Sequence, residues 1–202
     1  MIRFIAGIAG VLVMSACTTV SPQKSIALAG GDVVARAPAG FCVDDHASRP
    51  SADFAVIAPC ATLGADQALP SAVALATIQV GADGSGTVTG SETDMRNFLQ
   101  SEAGAILLSN AGDSSTVSDV STQISDGRVT VAFNDTAPHS MGGLQDKEWR
   151  TFTDVNGRLV TVALRGLSAA PLDDSTGIWL LNAMAVGIAP AVLIQATQTS
   201  DI

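Results

Sequence analysis

Asp44, Asp45, His46 and His139 are the residues of this chain whose types could do metal or acid–base chemistry. Carboxylate oxygens with an imidazole nitrogen suit a transition metal. A hydrolytic or metal-dependent enzyme built on them needs His46 and His139, the two histidines of the chain, to meet around a shared carboxylate, and nothing in the spacing brings them together. The competing reading is a polar turn after a strand for 44–46 and an exposed loop histidine at 139. Asp83-Gly84-Ser85-Gly86-Thr87 with Asp94 spaces oxygens much as an EF-hand loop does. However, Val88 occupies the sixth position, where that loop needs glycine, and no helix enters it. Ser21-Pro22-Gln23-Lys24 matches Ser-x-x-Lys, the acylating motif of penicillin-binding enzymes, without a helix to present it. Trp149 and Trp179 could line a ligand groove, against the plainer reading of two core aromatics. No nucleophile elbow, zincin helix, P-loop or dinucleotide-binding glycine run is present. No catalytic set and no cofactor is therefore expected.

The clearest chemistry lies at the front of the chain. Arg3 precedes an uncharged apolar run from Phe4 to Met14, then Ser15, Ala16 and Cys17. A basic start, a short apolar core and small residues at the cut make a secretory signal. The core is short of the roughly 20 residues that span a bilayer. Met14-Ser15-Ala16-Cys17 fits a lipobox, with Met in the usual Leu position. Residues 1–16 are therefore expected to be removed and Cys17 to carry fatty chains such as palmitate, whose buried methylenes anchor the protein. The alternative is an ordinary cleaved signal that ends near a cysteine. Thr18, where Asp would signal inner-membrane retention, points the address to the outer membrane, facing the periplasm.

Lipidation of Cys17 also resolves an odd cysteine count. Three cysteines are present, and removing one leaves Cys42 and Cys60. An oxidising compartment favours their disulfide, which in the chain-entropy model stabilises by about 3 kcal/mol. Two reduced buried cysteines, or a two-cysteine metal site, are the rivals; no Cys-x-x-Cys spacing supports the metal.

Removing residues 1–16 of the 202 leaves 186, which suits one domain. Without Arg3, nine basic against nineteen acidic residues leave a charge of −10. Such a surface excludes nucleic acid, whose binding needs cations at phosphates. It also disfavours electrostatic adsorption to anionic lipid, so the acyl anchor must supply membrane attachment. Residues 17–31 read as the lipidated cysteine and a flexible Ser/Thr/Pro/Gly tether, and 32–202 as the globular domain.

The elements that must position any site follow from periodicity. Short apolar β runs lie at 33–37, 41–43, 54–58 and 72–80, separated by proline and glycine. Ser91 with Asp94 predicts a helix start, and Met95, Phe98 and Leu99 carry it over 92–101. A second short helical piece covers 102–109, with Ile106, Leu107 and Leu108 turned inward. Asp126-Gly127 and Asn156-Gly157 predict two hairpins, 117–124 with 129–134 and 149–155 with 158–164. The segment 135–147 between them reads as a loop. Asp173-Asp174-Ser175 starts a C-terminal helix whose inner face is Ile178, Leu181, Ala185, Ile188 and Val192, with Pro190 kinking or ending it. Residues 177–200 carry no charge. Their length invites a membrane-spanning reading, but Asn182, Pro190, Gln195 and Gln198 favour a helix that covers the sheet.

Ala39-Gly40-Phe41-Cys42-Val43-Asp44, Cys60, Asn97-Phe98-Leu99 and Trp149-Arg150 through Val155-Asn156-Gly157-Arg158-Leu159-Val160 resemble a family of small alphaproteobacterial envelope lipoproteins of uncharacterised activity. The resemblance covers about 35–195 and implies an exported, disulfide-bonded domain; it supplies no catalytic residues to carry over. The element order resembles the PsbP-like α/β/α sandwich. The expected fold is α+β, with an antiparallel sheet of five to seven strands under a long C-terminal helix. The expected function is a non-enzymatic, lipid-anchored module that binds an envelope protein or assists assembly.

Overall fold

The computed structural model describes residues 22–191, apart from Asp126 and Ser140. The expected signal, Cys17 and Val192 lie outside the described residues. The chain opens with β1 (Ser25–Leu28) and β2 (Val33–Arg36), then β3 (Phe41–Val43), β4 (Phe54–Pro59) and β5 (Ala74–Val80). Helices α1 (Glu92–Leu99) and α2 (Glu102–Leu108) follow. Next come β6 (Val117–Ser125), β7 (Arg128–Asp135), β8 (Leu144–Val155) and β9 (Arg158–Leu167), then α3 (Asp174–Val186) and β10 (Ile188–Pro190).

Seven strands form one antiparallel sheet in the order β3-β4-β5-β9-β8-β7-β6, and three form a small sheet, β1-β2-β10. Alternation decides what covers each face, because successive strand residues point to opposite sides. Ala74, Ala76 and Ile78 of β5, with Val160, Val162 and Leu164 of β9, form the main core with Leu180, Leu181 and Met184 of α3 and Leu28, Val33 and Ala35 of the small sheet. On the opposite face, α1 and α2 seal only the β6–β7–β8 half, around Leu99, Leu108, Val131, Phe133 and Phe152. The result is an α/β/α arrangement whose second helical layer is incomplete.

The Asn156-Gly157 turn adopts left-handed φ at both residues, +52° and +74°, as a two-residue hairpin requires. Cys42 and Cys60 are joined in a disulfide that ties β3 to the turn after β4. Lys24 Nζ donates to Phe41 O at 2.8 Å and lies 3.0 Å from Cys60 Sγ. The Ser-x-x-Lys lysine thus fastens the chain to this corner.

Five expectations are corrected. The tether does not extend to 31: Ser25–Leu28 pairs in register with β2, and Ala29–Gly31 forms a tight turn in which Gly30 takes φ +66°. The closing helix has 13 residues and stops at Val186; Ile188 belongs to β10, paired with Ala35. Its end is forced at Gly187, where a Cβ would fall 2.1 Å from Arg36 O. Of the three apolar residues expected inward on α2, only Leu108 is buried, while Ile106 and Leu107 face solvent. Strand β8 begins at Leu144, inside the expected loop. Ser91 makes no side-chain cap, and Glu92 instead accepts from Gly90 N and Gly127 N, each at 3.2 Å.

Candidate functional site

Where α1 and α2 stop, the sheet is left open over β5, β9 and the first half of β8. A cavity of about 250 Å³ lies there. Leu75, Thr77 and Gln79 of β5 and Thr161 and Ala163 of β9 form its floor. Its wall is charged. Glu148 and Arg165 stand opposite each other on β8 and β9, and both are nearly inaccessible, at 3% and 7% exposure.

A β-bulge creates that pairing. Leu144 lies opposite Leu167 and Glu148 opposite Arg165, so four steps along β8 match two along β9. Such irregularities bend a strand and re-aim its side chains. Arg165 Nε donates to Glu148 Oε2 at 2.5 Å, and its NH1 reaches Gln145 O at 3.2 Å. Arg150 Nε donates to the other Glu148 oxygen, while its NH1 reaches Leu107 O at 3.3 Å and its guanidinium lies 5.2 Å from the Phe133 ring centre. Asp135, fully buried, lies 3.6 Å from Arg165 NH2. It accepts from Asn110 N at 2.7 Å, Thr116 Oγ1 at 2.7 Å and Ala137 N at 3.0 Å. Burial alone would raise the Asp135 carboxyl. Those three donors and the Arg165 charge outweigh it and hold the carboxyl below the usual carboxylate range.

His139 belongs to this wall. Arg165 NH1 lies 2.5 Å from its Nε2, and Asn110 Nδ2 2.8 Å from its Nδ1. The structure does not bring His139 together with Asp44, Asp45 and His46. Those three occupy the turn after β3, where Asp44 accepts from His46 N and Ala47 N, both at 3.0 Å. Among the described residues, no three of His, Cys, Asp and Glu gather closely enough to hold a metal ion. In the 83–94 segment, Ser85 Oγ accepts from Leu159 N, and the amides of Thr87, Val88 and Thr89 donate to Asp154. Trp149 and Trp179 do not share a groove. Trp149 is fully buried against Gly177, whereas Trp179 is 65% exposed on the outside of α3.

The arrangement is a fixed network: Glu148 sits between two guanidinium groups, and Asp135 is held by Asn110 N, Thr116 Oγ1, Ala137 N and Arg165. Sequence reasoning missed Glu148, Arg150, Arg165 and Asp135. The available signal was the density of charge in Asp146-Lys147-Glu148-Trp149-Arg150, an unusual run within a strand.

Comparison with known proteins adds the fold. No family model matches the chain, and no curated protein matches it in sequence. Among solved structures, it is similar to Mog1p of Saccharomyces cerevisiae, described as a Ran-binding protein, with 10% identity over 85% of this chain and 97% of that one and a TM-score of 0.50. A point mutant of Mog1 aligns at 11% identity over 82% and 94%, with a TM-score of 0.47. CyanoP, the PsbP protein of Synechocystis, aligns at 12% identity over 89% and 98%, with a TM-score of 0.41. The match to Mog1p establishes a shared fold; at that identity, fold does not carry function.

Proposed function

We propose that this chain is a lipid-anchored envelope module that binds a protein partner through the open half of its large sheet, without catalysing a reaction. The address rests on the lipobox at Cys17. The binding reading rests on one observation: a pocket with a rigid charged wall opens beside large apolar side chains that nothing covers. Leu107 is 51% exposed and Met141 45% exposed, and Met141 and Leu144 line the same pocket. Apolar groups next to a pre-formed polar wall are what a protein interface needs: an anchor that gains from burial and a fixed set of partners for orientation. That a chain of this fold, Mog1p, is described as binding a protein is in keeping with such a use, although its partner does not carry over.

Co-purification from detergent-solubilised envelope tests the proposal with three proteins: wild type, Cys17→Ser, and Leu107→Glu/Met141→Glu. A partner retained by wild type and lost by the double substitution supports the interface. Loss with Cys17→Ser as well places the encounter at the membrane. A partner retained by the double substitution would overturn the assignment of this face.

A further inference from the structure

We infer that the opposite side of the molecule, the outer surface of α3 and the small sheet, lies against the lipid bilayer. This inference rests on the lipid-anchor reading of Cys17. α3 buries Leu180, Leu181 and Met184 and turns Trp179, Asn182 and Val186 outward, with Ala183 half-buried beside them; Trp179 and Val186 are 65% and 75% exposed. These residues follow helical spacing, so they form one stripe. Beside it, the outward alternation of the small sheet presents Ala27, Val34, Arg36 and Ala189.

Charge distinguishes this surface from the rest of the protein. The chain carries 19 acidic residues, yet 175–191, which runs through α3 and β10, contains no charged residue. The acids of this layer sit at its ends, and two of them are paired: Asp174 with Lys147 at 3.1 Å and Asp32 with Arg158 at 3.3 Å. Arg36 is a cation on the surface itself, which suits anionic headgroups. An exposed Trp beside small apolar residues suits the interfacial zone, where an indole places its ring among headgroups. Among the described residues, no helix is long and apolar enough to cross a membrane, so contact is along the surface.

The path of the chain brings this surface to the anchor. Arg36 N donates to Gly187 O at 2.9 Å, and Arg36 lies opposite Ser25. The C-terminal end of α3 is therefore about two strand spacings, or roughly 10 Å, from β1. The five steps from Cys17 to Pro22 span at most about 18 Å. An acyl chain on Cys17 can thus hold this side next to the lipid, while the Arg165 pocket opens on the other face of the large sheet. The pocket is left facing away, open to a partner.

The test couples the Cys17 thiol, the one outside the disulfide, to a maleimide lipid in phosphatidylethanolamine–phosphatidylglycerol vesicles, using the chain from Cys17 onward. Trp179 emission is expected to shift to the blue and to be lost in vesicles of brominated lipid. Trp179→Ser, at an exposed position, gives the baseline of the buried Trp149. Val186→Glu is expected to restore part of the quenched emission. Emission unchanged by brominated lipid overturns the inference; a blue shift without bromine quenching overturns it too, by indicating contact between copies of the chain. Because the coupling supplies the anchor, this result is independent of native lipidation. The mass of the protein isolated from its envelope tests that separately, through the presence or absence of acyl chains on Cys17.

Discussion

Glu148, Trp149 and Arg150 are consecutive in β8 and meet opposite environments. Trp149 enters an apolar core and is fitted by shape: a Cβ on Gly177 would lie 2.4–2.6 Å from three atoms of its indole. Its neighbours enter a buried charged network fitted by valence, with Glu148 shared between Arg150 and Arg165. The comparison separates two kinds of specificity on one strand. The apolar side rejects added volume. The polar side rejects any unmatched change of charge, because a lone buried ion keeps its desolvation cost without its partner.

The largest expected effect is on the polar side. Glu148→Ala leaves two guanidinium groups facing each other over a nearly inaccessible site and should cost about 3–5 kcal/mol in denaturant unfolding. The contrast is sharpened by Glu148→Met combined with Arg165→Met, which removes the closest pair but leaves Arg150 without Glu148 and Asp135 without Arg165, and so should recover only part of that loss. A double variant as stable as wild type would show that charge matching does not govern this side. On the apolar side, Gly177→Ala should cost about 3 kcal/mol, at the top of the usual range for overpacking, since neither the helix backbone nor a fully buried Trp can yield easily. Thermal unfolding of the purified variant measures it. A neutral Gly177→Ala would mean that α3 can lift from the sheet, and the core would not be fitted as described.

Much of this difference was readable in the sequence on one side and hidden on the other. The apolar strands showed themselves by period and by their stops: Pro59 after β4, Asn156-Gly157 between β8 and β9. Seven paired strands fall within the expected number. What escaped depends on partners remote in sequence. Ser25-Ile26-Ala27-Leu28 is a weak strand by composition and becomes one through β2, which itself pairs with β10 more than 150 residues further along the chain. The end of α3 was overrun because Gly187 reads as a tolerable helix residue until Arg36 O is known to sit against it. The charged wall was invisible for a similar reason. Glu148 meets Arg165 only after a bulge that inserts residues into β8, and a one-residue change of register would turn every following side chain to the other face. Asp44, Asp45 and His46 are adjacent in sequence; of the clustered charges Glu148 and Arg150 lie two apart on β8, while Arg165 and Asp135 join them only across strands.

The Asp135 end of the network offers a smaller and pH-dependent effect. Asp135→Asn removes the charge facing Arg165 and replaces one acceptor oxygen by a donor, set against either Asn110 N or the pair Ala137 N and Thr116 Oγ1. A loss of about 2 kcal/mol at pH 7 is within the range for buried hydrogen bonds left unmade. The sign with pH follows from the folded carboxyl being lowered relative to its ordinary value. The folded state then binds this proton less readily than the unfolded state. The stabilisation is fully present above the ordinary carboxylate range and is lost as pH falls through the lowered folded value. The stability gap between wild type and Asp135→Asn should accordingly be constant from pH 8 to 6 and narrow on acidification below about pH 4. A gap that widened in acid would mean that burial, and not the donors around Asp135, dominates its titration.

The smallest effect on stability should accompany the largest on binding. Leu107 and Met141 stand on the rim of the pocket, more than two-fifths exposed, so replacing each with Glu removes little packed surface and should move unfolding by no more than about 0.5 kcal/mol. Both residues lie beside Arg150, since its guanidinium reaches Leu107 O and both Arg150 and Met141 line the pocket. The introduced carboxylates would therefore alter the polar wall as well as the apolar rim. Leu107→Gln and Met141→Gln separate the two contributions. If a partner docks by burying the rim, Gln and Glu should weaken it alike; if it docks on Arg150, Glu should weaken it much more than Gln. A partner indifferent to all four substitutions would show that the open half of the sheet is uncovered surface rather than an interface. The contrast between the two faces of β8 would then concern stability alone.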